Sequence, residues 1–184
     1  MSTTSTKREI YLRRLETVRK RLASLSANAL YATPSSNLFY LTGIDFHRSE
    51  RLTALFLFQD RDPFVICPAF EAERLRRMSA VEQVVTWEET EDPFAKAAAL
   101  LPASSGILAV EPSTAYEDVE RLIVQASGWK PLSAGPLFGP VRMVKESAEV
   151  DLMRRAIAVA VGRFQKAFAG RQQQRNIRFP ILCR

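Results

Sequence analysis

The sequence predicts an α/β fold in which helices cover both faces of a mixed sheet. Three observations predict it. Two apolar runs joined by a turn indicate an antiparallel hairpin, strand-like and helix-like segments then alternate as in β-α-β units, and an amphipathic helix stands at each end of the pattern.

The first half of the chain predicts a helix followed by antiparallel strands. Between Lys7 and Leu25 apolar side chains recur every three or four residues, as on one face of a helix. Residues 33–37 indicate a turn with helix-capping character, and Gly43 ends the short element that follows. The predicted elements are the helix Lys7–Leu25, the strand Asn28–Ala32, the element Leu38–Leu41 and the hairpin strands Thr53–Phe58 and Phe64–Cys67.

The second half alternates between the two periodicities. Helical and strand-like segments follow one another with short polar connections, which is typical of parallel strands with crossover helices. The predicted elements are the helix Ala69–Met78, the strand Val84–Trp87, the helix Pro93–Leu101, the strand Ile107–Val110, the helix Tyr116–Ala126 and the strand Pro131–Ser133.

A final helix is predicted to begin near Ser147 and to end at Gly170, a common residue after a helix. Its apolar stripe is continuous, so we expect exposed apolar surface or self-association there. The stripe consists of Val150, Met153, Ile157, Val161, Phe164 and Phe168. Residues 171–184 contain four arginines and no acid, and we interpret them as an atypical basic tail from another reading frame or from a vector.

Composition is that of one globular domain, with 184 residues, 47% of them hydrophobic and 25% charged. The net charge of +6 resides in the first helix and the tail, and the middle of the chain is mildly acidic, so we expect no nucleic-acid partner. No apolar run approaches the ~20 residues of a membrane span. The leader is polar and the two cysteines are far apart, so we expect a cytoplasmic protein that neither spans nor binds a membrane.

Two motifs carry the family resemblance. One is the segment Ser35–Gly43, with the sequence SSNLFYLTG, and the other is the segment Arg142–Val150, with the sequence RMVKESAEV. In this order and separation they resemble the signatures of the creatinase/prolidase amino-terminal domain of Xaa-Pro peptidases. The resemblance implies a ribonuclease-H-like α/β/α arrangement of three layers, with five or six strands in a mixed sheet.

The resemblance also implies where hydrolysis occurs. The peptidases of this family use two divalent metal ions, held by two Asp, one His and two Glu of a carboxyl-terminal domain. This chain has one histidine and no positions that match those ligands. We therefore expect no catalytic residues, no metal and no cofactor here, and no peptidase activity from this chain alone. The domain organisation we predict is a creatinase/prolidase-like domain at 1–145, a linker helix at 146–170 that leads to an absent catalytic domain, and the tail at 171–184.

The loop from Gly43 to Arg51 is the predicted contact with substrate. In creatinase a similarly placed arginine reaches into the partner subunit and holds the substrate carboxylate, and Arg51 matches that position best. A guanidinium suits this role because it binds a carboxylate through two hydrogen bonds. The one histidine of the chain, His47, could line the same cleft. The alternative is that Asp45, Arg48, Glu50 and Arg51 pair with one another on a solvated loop.

Other candidate groups favour structural roles. Cys67 ends an apolar strand and is predicted to be a buried thiol rather than a partner of His47. Glu111 follows a strand, where open sheets often place functional groups, but a lone carboxylate indicates a cap or a packing pair. Asn37 is predicted to cap a helix, and Lys145 and Ser147 to belong to a connector.

The leading hypothesis is a non-catalytic domain that contributes oligomer contacts and a lid over a partner subunit's active site. We expect a homodimer, and a proline-containing peptide as substrate only in the full-length enzyme. One alternative is a stand-alone protein-interaction module with a peptidase-derived fold, although the sequence shows no acidic patch to favour it. Another is a nucleotide or small-molecule binder, but the seven glycines form no phosphate-binding loop.

Overall fold

The computed structural model describes residues 7–102 and 105–175, and in the last helix the side chains up to residue 168. The helices are α1 Lys7–Leu22, α2 Ser36–Thr42, α3 Ala72–Met78, α4 Pro93–Ala99, α5 Tyr116–Gln125, α6 Gly135–Met143 and α7 Ser147–Arg175. The strands are β1 Ala29–Ala32, β2 Ala54–Phe58, β3 Phe64–Pro68, β4 Gln83–Trp87, β5 Gly106–Val110 and β6 Trp129–Ser133. The chain divides between Arg142 and Met143 into two compact units.

The strands form one mixed six-stranded sheet in the order β4-β3-β2-β1-β5-β6. β2 is antiparallel to both of its neighbours, whereas the pairs β3·β4, β1·β5 and β5·β6 are parallel. Five strands therefore run in one direction and β2 runs in the other. The carboxyl ends of those five strands and the amino end of β2 lie at one edge, which we call the carboxyl edge.

Two apolar cores lie on opposite faces of the sheet, because side chains alternate along each strand. On one face Leu30 and Leu57 pack with Leu15 of α1, Leu38 of α2 and Leu137 of α6. On the other face the packing involves the aromatic residues of β1, β2 and β3 and side chains of α4 and α5, namely Tyr31, Phe56, Phe64, Phe94 and Leu122. The predicted three-layer α/β/α architecture is confirmed.

Local chemistry explains the ends of α2. The Oγ of Ser35 accepts a hydrogen bond from the Leu38 N–H at 3.1 Å, so Ser35 is the N-cap. Gly43 follows the helix with φ 81°, and a Cβ there would lie 2.7 Å from the Tyr11 ring. The prediction for Gly43 is confirmed, but the prediction that Asn37 caps this helix is wrong. Asn37 lies inside α2 and its amide bonds elsewhere.

Two further expectations differ from the structure. No element was predicted between Ser133 and Arg142, where the structure has most of α6; Pro136 lies in the first turn of this helix, where its missing N–H is tolerated, and Pro140 lies inside it. Gly170 does not end the last helix, which continues to Arg175. Most of the predicted tail, residues 176–184, lies outside the described residues.

Taken by itself, α7 exposes much of its apolar stripe, including Met153, Ile157, Phe164 and Phe168. The exposed surface predicted from the sequence is present on this unit, whereas self-association stays a prediction. Among the described helices none combines the length and the apolar character that crossing a bilayer requires.

Candidate functional site

Arg51 and Glu111, two of the residues singled out from the sequence, lie at the carboxyl edge, together with Phe70 and Glu89. Arg51 precedes β2, while Phe70 follows β3, Glu89 follows β4 and Glu111 follows β5. Open α/β sheets commonly bind ligands at this edge, because loops converge there from several strands. The edge carries two separate groups of side chains, one exposed and one buried.

The exposed group forms a concave site that we call the Arg51 cleft, with a cavity volume of about 280 Å³. Its lining includes Phe46, His47, Arg51, Phe70, Glu71 and Arg74. Two guanidinium groups and the imidazole thus border one opening, together with two aromatic rings. The structure brings the two predicted substrate-contact residues, His47 and Arg51, into the same cleft.

Arg51 pairs with a carboxylate that is distant in the sequence. Its Nε donates a hydrogen bond of 2.6 Å to Oε1 of Glu89, just beyond β4. This hydrogen bond and the negative charge of Glu89 raise the pKa of Arg51 above its usual value. The alternative predicted that Arg51 pairs with an acid of its own loop. That prediction is wrong for Arg51, because its hydrogen-bonded acid, Glu89, lies outside the loop.

Aromatic rings support both guanidinium groups of the cleft. Cζ of Arg51 lies 5.6 Å from the centre of the Phe70 ring, and Cζ of Arg74 lies 4.7 Å from that of Phe46. Such contacts favour a cation at these positions. Each guanidinium also has an acidic partner, Glu89 for Arg51 and, at 3.7 Å, Glu71 for Arg74. The cleft therefore combines guanidinium donors with apolar surface, which suits a ligand that carries a carboxylate next to an apolar group.

The buried group centres on Glu111, whose side chain is 2% exposed. Its Oε1 accepts a hydrogen bond of 2.7 Å from Nδ2 of Asn37, and its Oε2 accepts bonds from the backbone N–H and the hydroxyl of Ser113 at 2.8 and 2.6 Å. The carboxylate is thus desolvated, and both of its oxygens are hydrogen-bonded. The structural interpretation of Glu111 is confirmed.

The same group joins the two sequence motifs. Nη1 of Arg142, from the second motif, donates to Oδ1 of Asn37 in the first motif at 2.6 Å. The Tyr40 hydroxyl, also in the first motif, donates to the Val141 carbonyl at 3.2 Å. Sequence reasoning missed this contact, although the occurrence of both motifs about a hundred residues apart was a signal for it.

Cys67 plays no part in either group. Its side chain is buried, and burial raises the pKa of its thiol to about 11. A protonated, enclosed thiol is a poor nucleophile. The prediction of a buried structural cysteine is confirmed.

Metal-ligating side chains do not cluster in the part of the chain that the structure describes: no three of its His, Cys, Asp and Glu residues are placed to hold an ion together. The expectation that the chain binds neither metal nor cofactor stays a prediction. The Arg51 cleft offers cationic and aromatic groups, whose chemistry suits an anionic organic ligand.

Comparison with known proteins identifies the family. The profile of the creatinase/prolidase N-terminal domain matches residues 14–144. The chain belongs to this family. It is 33% identical over 151 residues to a protein of Mycobacterium tuberculosis named "Probable dipeptidase PepE", covering 80% of this chain and 40% of that protein.

Solved structures agree with this assignment. The dipeptidase PepE of Mycobacterium ulcerans superposes with a TM-score of 0.72 at 30% identity, over 79% of this chain and 40% of that one. The creatinase/prolidase N-terminal domain of an X-Pro dipeptidase from Streptococcus pyogenes has the same fold, with a TM-score of 0.56 at 24% identity over 65% of this chain and 99% of that one. This chain is thus a creatinase/prolidase-type N-terminal domain, as found in dipeptidases, and it spans about 40% of the length of the two PepE proteins named above.

Proposed function

We propose that this creatinase/prolidase N-terminal domain covers the active site of a dipeptidase and borders the bound substrate. In the proposal the domain forms a homodimer, and the Arg51 cleft of one subunit faces the catalytic domain of the other. Arg51 then binds the carboxylate of a proline-containing dipeptide, and His47 lines the same space. Bond cleavage, with the two divalent metal ions of the family, belongs to the catalytic domain.

The observation that carries this proposal is the meeting of His47 and Arg51 in one exposed cleft. A dipeptide has a free carboxylate close to every bond that can be cut, so a fixed cation near the active site suits short substrates in particular. A guanidinium keeps its charge at any physiological pH, and binding a carboxylate end-on uses two parallel hydrogen bonds. The aromatic surface beside it suits the apolar ring of proline.

Kinetics of a chimera test the substrate contact. Residues 1–145 of this chain would replace the corresponding region of the Mycobacterium tuberculosis relative, and hydrolysis of glycyl-L-proline would be followed. We expect Arg51→Ala to raise KM about tenfold, because a charge-assisted hydrogen bond to the substrate is lost, with a smaller effect on kcat. The same change at Arg61 is a matched control.

Arg61 is suited to this comparison because it lies in the β2–β3 turn, at the opposite edge of the sheet, and its Cζ also lies over an aromatic ring, 5.2 Å from the centre of Phe58. We expect Arg61→Ala to leave KM and kcat unchanged. Equal kinetics for the Arg51 variant and the unmodified chimera would contradict the substrate contact. A chain that stays monomeric in light scattering at every concentration would contradict the proposed dimer.

A further inference from the structure

Glu89 approaches the Arg51 guanidinium from the side. Its Oε1 accepts from Nε, at 2.6 Å, rather than from the two terminal nitrogens. Among the described residues, this is the hydrogen bond that the Arg51 side chain makes, and it leaves four N–H groups on the terminal nitrogens for another acceptor. A carboxylate that binds an arginine end-on uses those terminal groups.

The backbone on both sides of this contact is fixed. The indole N–H of Trp87, two residues before Glu89, donates to the carbonyl of Leu52 at 2.9 Å, and both residues are buried. The Arg51 N–H donates to the hydroxyl of Ser49 at 3.2 Å. The start of β2 and the end of β4 are therefore tied together next to the Arg51–Glu89 pair, so the pair inherits a defined geometry.

Phe70 completes the support. Its ring is 65% exposed and its centre lies 5.6 Å from Cζ of Arg51. A long arginine side chain on a loop would otherwise sample many rotamers, and ordering it on binding would reduce affinity. A side-on carboxylate and an aromatic neighbour restrict those rotamers before a ligand arrives.

We propose that Glu89 is the positioning residue of Arg51, holding the guanidinium by Nε so that its terminal nitrogens are available to an incoming carboxylate. This inference rests on the proposed function of Arg51 as the carboxylate contact. Glu89 has two opposing effects on such a ligand: it orders the guanidinium, which favours binding, and it repels the ligand's negative charge. The proposal is that ordering dominates, because the pair is exposed and water screens the repulsion.

Substitutions at Glu89 separate the two effects. Glu89→Ala removes both the hydrogen-bond acceptor and the charge, whereas Glu89→Gln retains a side-chain oxygen that can accept from Nε and removes only the charge. Glu88→Ala is the matched control, since it removes a neighbouring acid that does not contact Arg51 in the described structure. None of these side chains is buried in a core, so the variants should fold alike.

The test uses the chimera described above, in which the substrate meets both the Arg51 cleft and a catalytic domain. KM and kcat for glycyl-L-proline are compared among the Glu89→Ala, Glu89→Gln and Glu88→Ala variants. We expect Glu89→Ala to raise KM about fivefold, because the arginine regains rotamer freedom. We expect Glu89→Gln to have a KM no higher than that of the unmodified chimera, and Glu88→Ala to leave KM unchanged.

The outcomes distinguish this inference from the proposed function. A KM that is unchanged or lower in Glu89→Ala, or that rises equally in Glu89→Ala and Glu89→Gln, would overturn the positioning role while leaving the Arg51 contact intact. A KM of Arg51→Ala equal to that of the unmodified chimera would instead overturn the carboxylate contact itself.

Discussion

The Arg51 cleft and the Glu111 group lie along the same edge of one sheet, yet they are organised in opposite ways. Glu111 is buried and its two oxygens accept three hydrogen bonds from Asn37 and Ser113. Arg51 is exposed, is hydrogen-bonded through one of its three nitrogens and borders an open cleft. Position along the edge therefore does not indicate function by itself. The oxygens of Glu111 accept hydrogen bonds from within the fold, whereas the terminal N–H groups of Arg51 remain available to a ligand.

The largest expected effect concerns the buried group. Replacing Glu111 with Ala leaves the Asn37 amide and the Ser113 N–H without their acceptor in a desolvated place, and buried unsatisfied groups are costly. We expect the free energy of unfolding to fall by about 3 kcal/mol, measured by urea denaturation. Glu120→Ala, on the exposed face of α5, should change it by less than about 0.5 kcal/mol. Similar values for both variants would contradict the structural role of Glu111.

A second expected effect concerns Cys67 on β3. The next residue, Pro68, lines the Arg51 cleft. Burial raises the pKa of the folded thiol to about 11, whereas an unfolded thiol loses its proton near pH 9. Between these values the folded state binds more protons than the unfolded state, so stability falls as pH rises. We expect this slope in the free energy of unfolding, and we expect Cys67→Ala to reduce it.

Both proteins in that comparison should carry Cys183→Ser, which removes the second thiol of the chain. The quantity compared is the difference between the two unfolding free energies at several pH values, because tyrosine and lysine side chains titrate in the same range in both proteins. A difference that stays constant from about pH 8 to pH 11 would show that the Cys67 thiol is accessible in the folded state.

The smallest expected effect is on the stability of the Arg51→Ala variant. Exposed ion pairs contribute little to stability, so Arg51→Ala should leave the urea midpoint unchanged within error. Leu52→Ala is an adjacent control that shows the measurement is sensitive, because Leu52 is buried and its truncation should cost about 3 kcal/mol. A marked loss of stability in the Arg51 variant would indicate that the cleft residues serve the fold as the Glu111 group does.

Much of the fold follows from periodicity. The predicted first helix, the hairpin and the β-α-β units are present, because each depends on the local spacing of apolar side chains and on turn residues. The helix α6 was not predicted: two prolines in nine residues make a weak helical signal, although Pro136 lies where the helix N-terminus tolerates it. The cap of α2 was assigned to Asn37 instead of Ser35, since both residue types cap helices equally well.

The sequence by itself determined the family, the three-layer α/β architecture and the choice of Arg51 and His47 as candidate residues, because motifs, strand periods and residue chemistry are properties of short segments. Only the tertiary structure decided which groups meet: Arg142 with Asn37, Asn37 with Glu111, and Arg51 with Glu89. These partners are separated by 38 to 105 positions in the chain, and their contacts depend on the order and direction of the strands. Local periodicity carries no information about that order, so the position of Glu89 beside Arg51 could be seen only after the sheet was assembled.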